Sequence, residues 1–203
     1  MARRHPAAIL FADLQDSGDL SRRLPTPAYF ELIRTLSTRF DHSVAANLGV
    51  VGKHAGDGMT AFFIAPSDKQ AGDYARAALR TARDLQCWAG ELSDQFAGGL
   101  PFPVRINVAL HWGANLYMGQ LVPGGRLDVT ALGDEVNECA RIQESARDGA
   151  IAVSKAFAEL LSEDSAAELG VDLASVRYEP LAKLPGVSEK AVRDAGTLAV
   201  ARL

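Results

Sequence analysis

The sequence predicts an α+β fold with a mixed, mostly antiparallel sheet. Short apolar runs that suit strands alternate with amphipathic segments that suit helices. Two of the runs are joined by Gly56-Asp57-Gly58, which is typical of a β-hairpin. Helical segments flank the hairpin, so the element order is β-α-β-β-α-β. We therefore expect a ferredoxin-like βαββαβ core with extra C-terminal α/β elements and a projecting hairpin arm.

The first part of the chain supplies the strands and the helix that enter this core. Its predicted elements are a strand at 7–12, a loop at 14–27, a helix at 28–47, and hairpin strands near 50–55 and 59–64. The helix is predicted because apolar side chains recur every three or four residues after Thr26-Pro27, a suitable cap and first turn.

The second part of the chain completes the core and adds to it. Its predicted elements are a helix at 66–96, a linker at 97–103, a strand at 104–110, a strand with a projecting arm within 113–133, a helix at 134–147, a strand at 151–153, a helix from 154 to 161, and strands at 176–181 and 197–201. We expect residues 1–203 to form a single domain, which is an ordinary size for one.

Composition restricts the partners and the compartment. The 203 residues carry 25 acidic and 21 basic side chains, for a net charge of −4, so nothing favours a nucleic-acid partner. No apolar stretch is long enough to insert into a membrane. The two cysteines, Cys87 and Cys139, form no disulfide framework, which favours the cytoplasm.

Two aspartates occupy positions that suit metal binding. Asp13 ends the first strand and Asp57 lies at the tip of the hairpin. If these strands are neighbours, both carboxylates lie at one edge of the sheet, where oxygen ligands suit two Mg²⁺ ions. Each residue also has a plain structural explanation: Asp13 can cap the following loop, and Asp57 can simply form the turn.

Four stretches together resemble a known family. They are ILFADL (9–14), GKHAGDGMTAFF (52–63), RINVALHWG (105–113) and DVTALGDEVNECARIQESARDG (128–149). Their order and content resemble the class III nucleotidyl cyclase catalytic domain along nearly the whole chain. The resemblance implies an adenylate cyclase that converts ATP to 3′,5′-cyclic AMP and pyrophosphate with Mg²⁺ or Mn²⁺, two ions per site.

The resemblance assigns a role to each matching residue. Asp13, Asp57 and the backbone carbonyl of Leu14 match the metal ligands, Lys53 and Thr130 match the purine-reading pair, Asn137 matches the residue that orients the ribose, and Arg141 matches the residue that stabilises the transition state. Taken singly, each has a structural explanation: an exposed strand lysine, a β-branched strand residue, or a surface arginine paired with Glu138, Glu144 or Asp134.

The purine-reading pair favours ATP over GTP. A lysine ammonium only donates hydrogen bonds, so Lys53 suits the N1 acceptor of adenine and opposes the N1–H of guanine. The hydroxyl of Thr130 can accept a hydrogen bond from the adenine amine. Threonine at this position resembles the subgroup that includes bicarbonate-responsive cyclases.

Two departures from the family pattern concern the phosphates. The loop after the first strand reads QDSGDLS, and Asp16 adds a negative charge where relatives wrap the triphosphate. Near the C-terminus, relatives often have a Lys-Gly pair, whereas here Pro185 precedes Gly186. Lys183 is the nearest lysine and is therefore the candidate contact for the terminal phosphates.

The resemblance also implies a homodimer with composite active sites. In family members, the metal-binding aspartates of one chain lie opposite the purine-reading pair, the asparagine and the arginine of the other chain. The apolar arm residues suit either a dimer interface or a local core; they are Leu116, Tyr117, Met118, Leu121 and Val122.

The alternative function is a nucleotide-binding, catalytically weak regulatory domain. A diguanylate cyclase would need its own signature loop in place of 55–58. The domain is expected either to act alone or to follow an upstream regulatory domain that lies outside this chain.

Overall fold

The computed structural model describes residues 3–95, 103–121 and 128–203, in which strands and helices alternate. The strands are β1 (Arg3–Leu14), β2 (Val50–Ala55), β3 (Gly58–Ile64), β4 (Ile106–Leu121), β5 (Asp128–Leu132), β6 (Ile151–Ser154), β7 (Glu179–Pro180) and β8 (Ala199–Arg202). The helices are α1 (Ser17–Arg23), α2 (Thr26–Ala46), α3 (Ala71–Gln95), α4 (Asp134–Ser145), α5 (Lys155–Ala158), α6 (Glu163–Ala167) and α7 (Glu189–Ala195).

The strands form one mixed sheet in the order β2-β3-β1-β4-β6-β8-β7, and β5 pairs with β4. Among the described pairings, only β4 and β6 run parallel. The four-strand part β2-β3-β1-β4 is the predicted βαββαβ core, because α1 and α2 connect β1 to β2 and α3 connects β3 to β4. The predicted fold class is confirmed.

Strand β1 is buried on both faces, which explains its continuous apolar sequence. Ala8 and Leu10 point into a core shared with α2 and α3. Ala7 and Ile9 point into a second core shared with α4. Successive side chains of a strand alternate between faces, so β1 joins both layers and its C-terminal end is fixed from both sides.

Several elements differ from the predictions. The predicted loop at 14–27 contains α1, which begins after Asp16 and buries Leu20. The helix predicted from 154 to 161 is shorter, α6 and α7 were not predicted, and the strand at 176–181 is only two residues long. The linker up to residue 102 and the tip of the arm at 122–127 lie outside the described residues. Within the described stretches, no helix is long and apolar enough to cross a membrane.

Candidate active site

The carboxylates of Asp13 and Asp57 meet at one end of the sheet. Strands β1 and β3 are antiparallel, with Ala12 opposite Met59, so Asp13 lies beside the turn that precedes β3. A Cβ atom placed on Gly58 would lie 3.6 Å from Oδ1 of Asp13. The antiparallel register therefore brings together two acids that are far apart in sequence.

The electrostatics of this pair fit a divalent cation. Burial, the charge of Asp57 and a hydrogen bond between the two carboxyl groups together raise the pKa of Asp13 to about 6, and burial is the largest of the three causes. Burial and the charge of Asp57 also raise the pKa of Tyr29, which lies close to both carboxylates. Without a cation, the two carboxylates repel each other. Carboxylate oxygens are also the ligands that Mg²⁺ and Mn²⁺ prefer. The residues present therefore fit the expected metal.

Leu14 can contribute only its backbone to such a site, because its side chain is buried in the core with α2 and α3. It follows Asp13 directly and lines the same cleft. This placement agrees with a backbone carbonyl as the expected ligand.

The two predicted purine-reading residues lie on strands that contact each other. Lys53 is exposed on β2, where the pairing with β3 shifts register between Val51 and His54. Thr130 is half-buried on β5, opposite Gly119 of β4. Strands β2 and β5 pack together although they are not hydrogen-bonded neighbours in the sheet. The fold thus brings the strands of this pair onto one side of the molecule.

Helix α4 carries Asn137 and Arg141 in different environments. Asn137 is exposed, whereas Arg141 is only 8% exposed. Nη1 of Arg141 donates to the two carboxylate oxygens of Glu144 at 2.6 and 2.7 Å. Its Nε lies 3.9 Å from Oδ2 of Asp194 on α7 and is buried with no hydrogen-bond partner among the described residues. In this conformation the guanidinium is paired within its own chain, as the structural alternative foresaw.

A buried histidine fixes α4 to the sheet between these two residues. Nε2 of His111 in β4 lies 3.0 Å from Oε2 of Glu138, which directly follows Asn137. His111 is almost fully buried, and its hydrogen bond lowers the pKa of the Glu138 carboxyl. This contact sets how α4 is rotated on the sheet and so helps to position Asn137 and Arg141.

Three residues near the aspartates were not predicted as site residues from the sequence. They are Tyr29, Asn107 and Arg147. Asn107 gave a usable signal, since it is a polar residue in an otherwise apolar strand. Tyr29 and Arg147 gave none, because a partly buried tyrosine and a helix-end arginine are ordinary. The predicted phosphate contact Lys183 is exposed in the turn Leu181–Lys183.

Two comparisons of the sequence with known proteins both find cyclases. A sequence model of the "Adenylate and Guanylate cyclase catalytic domain" matches residues 1–177. Adenylate cyclase 1 of Rhizobium meliloti (strain 1021) is 31% identical over an alignment of 153 residues that covers 72% of this chain. The chain spans 22% of the length of that relative.

Solved structures with the same fold include cyclases of both nucleotide specificities. The adenylyl cyclase CyaB from P. aeruginosa is 20% identical, with a TM-score of 0.77 over 100% of this chain and 95% of that one. The guanylyl cyclase Cya2 is also 20% identical, with a TM-score of 0.77 over 100% of this chain and 93% of that one. The fold is therefore shared with enzymes that differ in the purine.

Proposed function

The chain belongs to the family of adenylate and guanylate cyclase catalytic domains, and we propose that it converts ATP to 3′,5′-cyclic AMP and pyrophosphate. The observation that carries the proposal is the pair of carboxylates, Asp13 and Asp57, held together at the end of the sheet. In this proposal the two carboxylates and the carbonyl of Leu14 hold two Mg²⁺ or Mn²⁺ ions.

The reaction forms a bond between the ribose 3′-oxygen and the α-phosphorus and breaks the bond from that phosphorus to the pyrophosphate oxygen. The 3′-hydroxyl loses its proton, and the pyrophosphate keeps the electron pair. Bound cations supply a lower pKa for the 3′-hydroxyl and charge compensation for the phosphates. Asn137 orients the ribose by hydrogen bonding, and Arg141 stabilises the negative charge that develops around the α-phosphorus.

Recognition of adenine is assigned to Lys53 and Thr130. Lys53 is exposed on β2 with its ammonium available to a ligand, and it can donate to adenine N1 but cannot accept from guanine N1–H. Thr130 lies on β5, which packs against β2, and its hydroxyl can accept a hydrogen bond from the adenine amine. The choice of ATP rests on this hydrogen-bond pattern, since the fold accommodates either purine.

A homodimer with composite sites is also part of the proposal. Among the described residues, the cleft beside Asp13 is lined by none of the four nucleotide-reading residues, Lys53, Thr130, Asn137 and Arg141. In a two-fold dimer, the aspartates of one chain can face those four residues of the other, which gives two equivalent sites. Tyr117 and Leu132 at the base of the arm are exposed and suit such an interface, whereas Leu116 and Met118 belong to the local core.

Because the chain spans only part of its curated relative, its setting in the cell is likewise proposed. The charge and the cysteine content favour a cytoplasmic enzyme with ATP as its small-molecule partner. A regulatory domain upstream of the catalytic domain would fit the greater length of that relative.

One observation favours the alternative, a nucleotide-binding domain with weak catalysis. The guanidinium of Arg141 is paired with Glu144 and is nearly buried, so it is not free for a phosphate in this conformation. The two functions make different predictions about turnover but not about nucleotide binding.

The deciding experiment incubates the purified protein with Mn²⁺ and either ATP or GTP and separates the products by chromatography. We expect cyclic AMP and pyrophosphate in equal amounts from ATP and little product from GTP. Lys53→Glu should reverse part of this preference, because a carboxylate accepts from guanine N1–H. Absence of cyclic product from folded, dimeric protein that still binds ATP would instead establish the regulatory alternative.

A further inference from the structure

A cleft of about 530 Å³ opens beside the aspartate pair on the side of α4. Its walls are Asp13, Leu14, the segment from Gln15 to Gly18, Asn107 of β4, and the end of α4 with Gln143, Glu144, Ala146 and Arg147. The α4 end and the loop after β1 are joined by a hydrogen bond from the backbone N–H of Asp148 to Oε1 of Gln15, at 2.7 Å. This bond fixes the two sides of the cleft relative to each other.

Among the described residues lining the cleft, Arg147 is the one cation. Its Nη1 donates to the backbone carbonyls of Glu144 and Ala146 at 2.6 and 2.7 Å. These carbonyls belong to the C-terminal end of α4, where a positive charge is favourable. The guanidinium is therefore anchored through one nitrogen, and a guanidinium has five N–H donors in all.

A second donor lies deeper in the same cleft. Asn107 is buried, and its Oδ1 accepts a hydrogen bond from the backbone N–H of Gly149 at 3.0 Å. That bond assigns the oxygen of the amide and leaves its NH₂ group as the donating end. Asn107 is opposite Asp13 in the pairing of β1 and β4. The cleft thus has donors from Asn107 and Arg147 next to the candidate metal ligands.

We propose that Arg147, assisted by Asn107, binds the β- and γ-phosphates of the nucleotide. This inference rests on the proposed function, because cations held by Asp13 and Asp57 would bring the phosphates to this cleft. Glu144 is already paired with Arg141, so it does not neutralise Arg147. A planar guanidinium suits phosphate oxygens, with which it can form two parallel hydrogen bonds.

The location of Arg147 also bears on the role expected for Lys183. Gly186 has a φ of +74°, and a Cβ atom placed on it would lie 3.9 Å from Nη2 of Arg147. The turn that carries Pro185-Gly186 therefore reaches Arg147, whereas Lys183 does not line the cleft. In this inference, Arg147 makes the contact to the terminal phosphates that the lysine of the Lys-Gly pair makes in relatives.

The test measures binding of pyrophosphate with Mn²⁺ by calorimetry, without any turnover. Arg147→Gln should weaken this binding at least about tenfold, since a charge-assisted hydrogen bond is lost. Arg147→Lys keeps the charge but loses the two parallel hydrogen bonds, so its affinity should lie between those of wild type and Arg147→Gln. The matched control is Arg105→Gln, which removes a nearby exposed arginine that is paired with Asp148 at 3.3 Å and does not line the cleft.

The outcomes separate this inference from the cyclase proposal. Equal pyrophosphate affinity in wild type, Arg147→Gln and Arg105→Gln would overturn the inference, even if the wild type makes cyclic AMP. A selective loss in Arg147→Gln would support the phosphate site even if no cyclic product forms, in which case only the proposed function fails. Equal losses in both glutamine variants would also overturn it, because the effect would then be one of general charge.

Discussion

The acidic end of the sheet, with Asp13 and Asp57, and the second half of α4, with Arg141 and Glu144, differ in net charge. At the sheet end, Asp13 and Asp57 place like charges together, and the pKa of Asp13 rises to about 6. On α4, Arg141 is paired with Glu144 through two short hydrogen bonds. The first region holds two like charges without a partner cation, whereas the second is already neutralised within its chain. Under the proposed function, a nucleotide would therefore have to compete with Glu144 for Arg141, while the aspartates would attract the metal ions.

The largest expected effect comes from breaking the acidic pair. Asp57→Ala should lower cyclase turnover at least about a hundredfold, because it removes a candidate metal ligand and leaves the fold intact. The assay is cyclic AMP production with Mn²⁺, with circular dichroism to verify folding. Asp73→Asn is the control, since Asp73 is an exposed acid in the first turn of α3. Normal turnover in Asp57→Ala would remove Asp57 from the mechanism.

The next effect tests whether Arg141 works in the transition state. Arg141→Gln should lower kcat about a hundredfold and change KM little, because the charge it stabilises develops during the reaction. Arg34→Gln is a matched control: Arg34 also pairs with a glutamate three residues away, Glu31, on an exposed helix face. A rise in KM at unchanged kcat would show that Arg141 only binds substrate.

A smaller effect is expected from releasing Arg141. Glu144→Gln should raise kcat about threefold, since an ion pair of this spacing on one helix, with the glutamate exposed, is worth well under 1 kcal/mol. The comparison is with Glu31→Gln, which breaks the equivalent pair on α2 and should leave kcat unchanged. A clear fall in kcat would mean that Glu144 positions the guanidinium instead of restraining it.

The smallest effect concerns stability without metal. The pKa of Asp13 rises from 3.8 to about 6 on folding, so the folded state binds this proton more tightly than the unfolded chain. The destabilisation is absent below pH 3.8 and complete above about pH 6. Asp57→Asn should relieve part of it and raise Tm by roughly 2 °C at pH 7.5 in chelator. At pH 4 the two melting curves should nearly coincide; a difference of the same size at both pH values would contradict the charge argument.

The sheet and the acidic pair could be predicted from the sequence because they depend on local signals. The hairpin at 56–58 and the apolar runs on either side specify β2, β3 and β1. Once β1 and β3 are neighbours, the antiparallel register places Asp13 beside the hairpin turn. No long-range side-chain information was needed for this part of the site.

The surroundings of Arg141 could not be predicted in the same way. Glu144 lies three residues after Arg141 on the same helix, and the sequence analysis named it as one of the possible partners of Arg141. Asp194 lies on α7, a seven-residue helix that buries only small side chains, Ala191 and Ala195. So short a helix has no clear apolar period, and neither its presence nor its packing on α4 follows from the sequence.

Helix α1 was missed for a similar reason. It has seven residues and one buried apolar side chain, Leu20. Its first turn depends on the backbone carbonyl of Asp16, which accepts from the N–H groups of Asp19 and Leu20 at 2.9 and 3.0 Å. Asp16 adopts a φ of 55°, a left-handed conformation that aspartate tolerates better than most residues. The glycine and polar residues of this stretch predict a loop just as well.

The most direct test of the central claim mixes two inactive variants. If each site combines the aspartates of one chain with Arg141 of the other, Asp57→Ala and Arg141→Gln should complement each other in a mixed dimer. An equal mixture with free subunit exchange should recover about a quarter of wild-type turnover, because half of the dimers then hold one intact site. No recovery, with mixed dimers shown by mass spectrometry of differently tagged chains, would mean that the site is not shared between chains in this way.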